Sequence, residues 1–156
     1  MAIKSYLSFC LDGEHYASPV NKVLNILEMC PITPVPLAPD YMVGVINLRG
    51  SVLPLIDTRI KFGMEATQVN VNTCILVLDI TTEGESVYVG ALVDSVQEVL
   101  ELADEAILPP PSLGSKFKAD YITGLARNHD KFVMIMDMDR VFAVSNSFSL
   151  VAAETI

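Results

Sequence analysis

The feature that most constrains this chain is that it repeats itself. "VNKVLNILE" (Val20 to Glu28) matches "VDSVQEVLE" (Val93 to Glu101) at an offset of 73. Val20, Val23, Leu27 and Glu28 have identical partners, and Ile26 faces Val99. "ITPVP" (Ile32 to Pro36) then faces "ILPPP" (Ile107 to Pro111) at offset 75. "YMVGVINLRGSVLPLIDTRIKF" (Tyr41 to Phe62) faces "YITGLARNHDKFVMIMDMDRVF" (Tyr121 to Phe142) at offset 80. Matching blocks in one order define a duplicated unit, roughly residues 1–65 and 73–145, with "MEATQVNVN" (Met64 to Asn72) as the junction and 146–156 as a tail. Repetition on this scale decides the fold before any single motif does.

The repeated unit is a β unit. "YLSFCL", "CILVLDI", "SVYVGALV" and "KFVMIMDM" are short apolar runs bounded by Gly, Asp, Asn or Pro, the pattern of strands. Several are apolar on both alternations, as in Phe132 to Met136, which predicts burial on both faces. Each copy carries about five strands, enough for a small barrel. Asp57 and Asp137 recur in both copies and read as caps of short helical turns. The tail is a candidate C-terminal helix.

With 51% hydrophobic and 19% charged residues, the chain is too apolar for disorder. No apolar run reaches the roughly 18–20 residues that span a bilayer. The N-terminus meets charge and Gly early, which points to an opening strand and to a soluble cytoplasmic protein. The net charge of −9 repels phosphate backbones and argues against nucleic acid. Cys10, Cys30 and Cys74 have apolar neighbours and no CxxC spacing. They read as small reduced core residues.

Chemistry is scarce. There is no phosphate loop, no GxSxG, and neither His15 nor His129 stands at metal-ligand spacing. No cofactor, metal or catalytic set is expected. A pocket that held His15 or His129 beside a cysteine would reopen an enzyme reading. An interaction module ranks first. Its best candidate is Arg49, in the turn "INLRGS", which copy 2 answers with "ARNHDK". The framework is shared and the turn chemistry is not. Pro54, inside the following apolar run, calls for an edge strand or a bulge.

"GVINLRGSVLPLIDTRIKFG" strongly resembles the CheW family, the coupling proteins of bacterial chemotaxis, and "GALVDSVQEVLELADEAILPPP" with "YITGLARNHDKFVMIMDMDRVF" resembles its second half. The likeness runs over about residues 5–144. It implies an all-β fold of two intertwined five-stranded SH3-like barrels with short helices. It also implies a non-enzymatic adaptor, without cofactor, that links the cytoplasmic tip of chemoreceptors to the regulatory domain of the histidine kinase CheA. Carried over by motif, receptor contact falls on Asn47, Leu48, Arg49 and Gly50, with Gly44 allowing close backbone approach and Val23 and Asn25 on an adjoining strand. Asn25 stands where many members carry an acid. Val99 is the near-counterpart in copy 2, a partner-contact candidate. An adaptor of another chemosensory output, such as pilus motility, and a module sensing a small ligand are the alternatives.

Overall fold

The computed structural model describes residues 2–110 and 121–143. Copy 1 supplies β1 (Ile3–Leu11), β2 (Glu14–Pro19), β3 (Val23–Glu28), β4 (Met42–Leu48), β5 (Ser51–Asp57) and the helical turn α1 (Thr58–Lys61). Copy 2 supplies β6 (Cys74–Thr82), β7 (Glu85–Val93), β8 (Ser95–Ala103), β9 (Ile122–Asn128), β10 (Lys131–Met136) and α2 (Met138–Val141). The expected repeat is thus present element for element. The candidate tail helix lies outside the described residues.

The repeats and the sheets do not coincide. One sheet has the order β8-β1-β2-β10-β9, the other β3-β6-β7-β5-β4. Each takes its central hairpin from one copy and its three other strands from the other copy. Most pairs are antiparallel, but β2–β10 and β5–β7 are parallel, so both sheets are mixed. Register shifts fall at matching places in the copies: Leu7/Phe9 and Val23/Asn25, then Met42/Gly44 and Ile135/Met136. Bulges add twist and bend a strand. At the Leu7/Phe9 bulge the hydroxyl of buried Ser8 takes over the missing ladder bonds. It accepts from Glu98 N at 3.1 Å and donates to Glu98 O at 3.0 Å.

Strand alternation then builds three apolar clusters. Leu7, Phe9 and Leu11 of the first sheet meet Leu76, Leu78 and Ile80 of the second in a core between the sheets. Tyr6, Ala17, Leu100, Val133 and Ile135 fill the hollow of the first sheet. Ile46, Leu53, Leu55, Ile75, Val77 and Leu92 fill that of the second. Central strands are therefore buried on both faces. Phe132 departs from this expectation and is 56% exposed, because it lies at the turn end of β10, past the packed layers. The barrels are open ones: the segment after β3 runs along the outer edge of β4 through Thr33 and Val45, and Leu108 repeats this on Leu125 of β9. The cysteines depart from the expected core position only in part. All three are free and half-buried: Cys74 and Cys30 pack against apolar clusters from a strand end and from the link after β3, whereas Cys10 belongs to none of the three clusters.

The caps are as expected from Asp57 and Asp137. The Asp57 carboxylate accepts from Arg59 N at 3.0 Å, Thr67 N at 2.9 Å and Thr67 Oγ1 at 2.7 Å. Asp137 accepts from Arg140 N at 3.2 Å. Pro54 also has an explanation. Val45, its partner across β4–β5, turns its own N–H and C=O outward to Thr33. Val45–Pro54 is therefore a pair without mutual hydrogen bonds, and β4 asks nothing of the missing N–H. On the other side, the β5–β7 ladder occupies Leu55–Asp57. In copy 2 the corresponding ladder runs Val133–Ile135, and Met134 occupies the position of Pro54. The proline shifts the paired stretch two residues towards Asp57.

Candidate binding face

The β4–β5 hairpin is tight. Arg49 (φ 52°) and Gly50 (φ 85°) form its two-residue turn in the left-handed region, the geometry that fits the twist of paired strands. The Asn47 carboxamide accepts from Gly50 N at 2.9 Å and ties the turn to β4. Asp12, Glu83 and His129 share the positive φ at the first position of the other three hairpins. The left-handed backbone is therefore a demand of the hairpin and no special mark of Arg49. What distinguishes Arg49 is its side chain. It is exposed, and among the described residues no carboxylate pairs with its guanidinium. An unpaired cation on a fixed turn, in a chain of net charge −9, is free to meet an external acceptor.

The other candidate residues sit differently. Leu48 packs its side chain on the core of the second sheet. A Cβ at Gly44 would lie 2.4 Å from Thr33 O, so the close approach that Gly44 permits is by its own chain. Val23 packs against the core between the sheets. Asn25 is half-buried, and its carboxamide accepts from the neighbouring Ile26 N at 2.9 Å. Both lie on β3, at the edge of the second sheet opposite to β4. Val99 is 58% exposed on β8, an edge of the first sheet. Asn47 to Gly50 are thus brought together, whereas Val23 and Asn25 stand apart from them and Val99 belongs to the other sheet.

Sequence reasoning passed over the residues that β3 turns outward. Its burial alternates strictly, so Val23, Asn25 and Leu27 face in while Leu24 and Ile26 are 50% and 45% exposed. The signal was available: with Leu27 directed at a core, period-2 alternation puts Leu24 and Ile26 on the other face. Val52, paired with Asn47, adds an exposed apolar side chain beside the Arg49 turn.

Two ion pairs fix how the sheets sit on one another. Arg59, on α1, donates from Nε to Asp94 Oδ1 at 2.8 Å and also contacts Oδ2 through Nη2. Asp94 stands where the chain crosses from β7 to β8, and its Oδ2 accepts Asp12 N at 2.8 Å. Burial pushes the Asp94 carboxyl up, but the hydrogen bonds from Arg59 and Asp12 and the charge of Arg59 outweigh it and hold the group below its ordinary value. On α2, Asp139 occupies the repeat position of Arg59. It accepts Lys22 Nζ at 2.9 Å and Thr81 N at 2.8 Å, where the chain crosses from β2 to β3.

Residues 5–145 match the family model described as a CheW-like domain. The chain belongs to the CheW family. It is 32% identical to the chemotaxis protein CheW of Rhizobium meliloti over 139 residues, covering 89% of this chain and 87% of that protein. It is 33% identical to that of Klebsiella aerogenes over 140 residues, covering 90% and 82%. Among solved structures, the scaffolding protein TtCheW from Thermoanaerobacter tengcongensis superposes with a TM-score of 0.80 at 28% identity, covering 92% of this chain and 95% of that one. CheW proteins are scaffolds rather than enzymes, which suits a face made of an exposed arginine and apolar strand residues. No helix among the described residues is long and apolar enough to cross a membrane.

Proposed function

We propose that this CheW protein is a cytoplasmic adaptor that couples the cytoplasmic tip of transmembrane chemoreceptors to the regulatory domain of the histidine kinase CheA. The observation that carries the reading is family membership over nearly the whole chain, joined to an unpaired Arg49 on a rigid turn. A receptor helix laid against the face would take apolar anchors from the chain and a charge-assisted hydrogen bond from Arg49. Arg49→Ala removes the guanidinium and leaves the turn, since Asn47 and Gly50 supply its bonds. A hot-spot arginine is worth roughly 2 kcal/mol, about 30-fold in affinity. Receptor pull-down with the folded variant should fall accordingly, and unchanged capture would remove Arg49 from the contact. Calorimetry with the CheA regulatory domain of the same genome tests the coupling role itself. Association on the order of micromolar is expected, and no heat of binding would count against the role.

A further inference from the structure

At one end of the first sheet, away from the Arg49 turn, the fold puts a cysteine beside a histidine. Cys10 lies directly across β1–β2 from His15, with Sγ 3.6 Å from Nδ1. Gln97 of β8 bridges them. Its Oε1 is 2.7 Å from His15 Nδ1, and its Nε2 donates to Cys10 Sγ at 3.1 Å. With Nδ1–H donating to Oε1, the carboxamide is turned so that its N–H points at sulfur. His15 and Gln97 also line a pocket of about 460 Å³ whose other walls include Glu98, His129, Asp130 and Val133. The fold does not require this set. In the second sheet the repeat partner of His15 is Tyr88, which pairs with Asp79.

The other two cysteines provide the contrast. Cys74 donates its S–H to Asn72 O at 3.2 Å. Cys30 packs against the apolar cluster of the second sheet. Among the described residues, only Cys10 has a nitrogen donor aimed at sulfur. Such a donor stabilises the thiolate, which is the attacking species, and His15 holds the donor in place through Oε1 of the same carboxamide.

We propose that Cys10 is a modification site, a thiol oxidised by a small hydroperoxide to the sulfenic acid, with His15 and Gln97 as positioning residues. The sulfur attacks the terminal peroxide oxygen. An S–O bond forms and the O–O bond breaks, so sulfur loses two electrons and the peroxide gains them. The thiol proton leaves to solvent as the thiolate forms and the leaving oxygen takes a proton from solvent, because His15 Nδ1, the ring nitrogen near sulfur, already carries the hydrogen it donates to Gln97. With hydrogen peroxide the products are the sulfenic acid and water.

The full chain is exposed to hydrogen peroxide with a 1,3-dicarbonyl trap for sulfenic acid, and adduct formation at the three cysteines is followed by peptide mass spectrometry. Cys10 should be trapped about tenfold faster than Cys30 and Cys74, the factor that one charge-assisted hydrogen bond supplies. That preference should vanish in urea and in the folded Gln97→Leu and His15→Phe variants, with circular dichroism as the check on folding. The opposite carboxamide orientation would tie the Cys10 proton to Oε1 and leave it as slow as Cys74. Equal trapping of the three thiols in the folded protein, or a preference that survives both variants, overturns the proposal.

Discussion

The two inter-sheet clasps use the same position on the helical turn, Arg59 or Asp139, and carry opposite signs. Their crossing residues, Asp94 and Lys22, lie one position apart in the repeat. In one, a cation on the helical turn reaches an anion at the chain crossing. In the other, the anion is on the turn and the cation at the crossing. In both, the carboxylate also accepts a backbone N–H from the turn end of a hairpin, Asp12 N or Thr81 N. The geometry of the crossing is therefore the retained quantity, and which side bears which charge is open. The same split holds at the hairpins: positive φ is common to Arg49 and His129, and side-chain chemistry is not.

Paired substitutions can break or sharpen that comparison. The largest effect is expected at the glycines. Gly44→Ala puts a methyl 2.4 Å from a backbone oxygen, whereas at Gly124 the nearest atom is the Ile107 side-chain Cγ2, also at 2.4 Å. A side chain can turn aside and the backbone cannot. Urea unfolding should show a loss of about 3 kcal/mol for Gly44→Ala and about half that for Gly124→Ala. Equal losses would mean that the two close approaches are equally rigid.

Next come the caps. Asp57→Ala abandons three hydrogen bonds at a carboxylate that is 3% exposed, Asp137→Ala one cap bond and a 3.5 Å surface ion pair with Arg140. About 2–3 kcal/mol against about 1 kcal/mol is expected in the same measurement.

The clasps follow. Arg59→Met should cost about 2 kcal/mol, since it strands the bidentate partner Asp94, and Lys22→Met under about 1 kcal/mol. The first clasp also carries a pH signature. Asp94 is held below its ordinary value in the folded state, so its contribution is present above the unfolded value and is lost as pH falls through the folded one. An acid titration of stability should therefore be steeper in the parent than in Asp94→Asn. Parallel curves would deny Asp94 this role.

The smallest change in stability is expected at the turns. Arg49→Ala and His129→Ala should each stay within about 0.5 kcal/mol. Only the first should weaken receptor capture, and a loss at both would return the turn to mere framework.

Much of this was legible in the sequence. The duplication, the strands and both caps follow from matching the two halves. Strand exchange does not follow from that matching, because a repeat states what each unit contains and leaves open which unit completes each sheet; only the family resemblance implied it. The outward face of β3 is legible only once Leu27 is known to face a core. Leu24 and Ile26 are as apolar as Leu27, so composition does not tell the wet side from the dry one. Cys10 and His15 lie close in sequence, but Gln97 reaches them from β8 across a bulged ladder, a contact that no local pattern encodes.

The reciprocal exchange of hairpins makes the molecule equivalent to a domain-swapped dimer joined end to end. Residues 64–73, which carry no helix or strand, are the splice. Neither half holds a complete sheet. Severed there, the fragments would have to find each other before either could bury its strands, so stability would become a matter of concentration. In the intact chain that second-order step is unimolecular, which the link achieves by holding the partner close at hand.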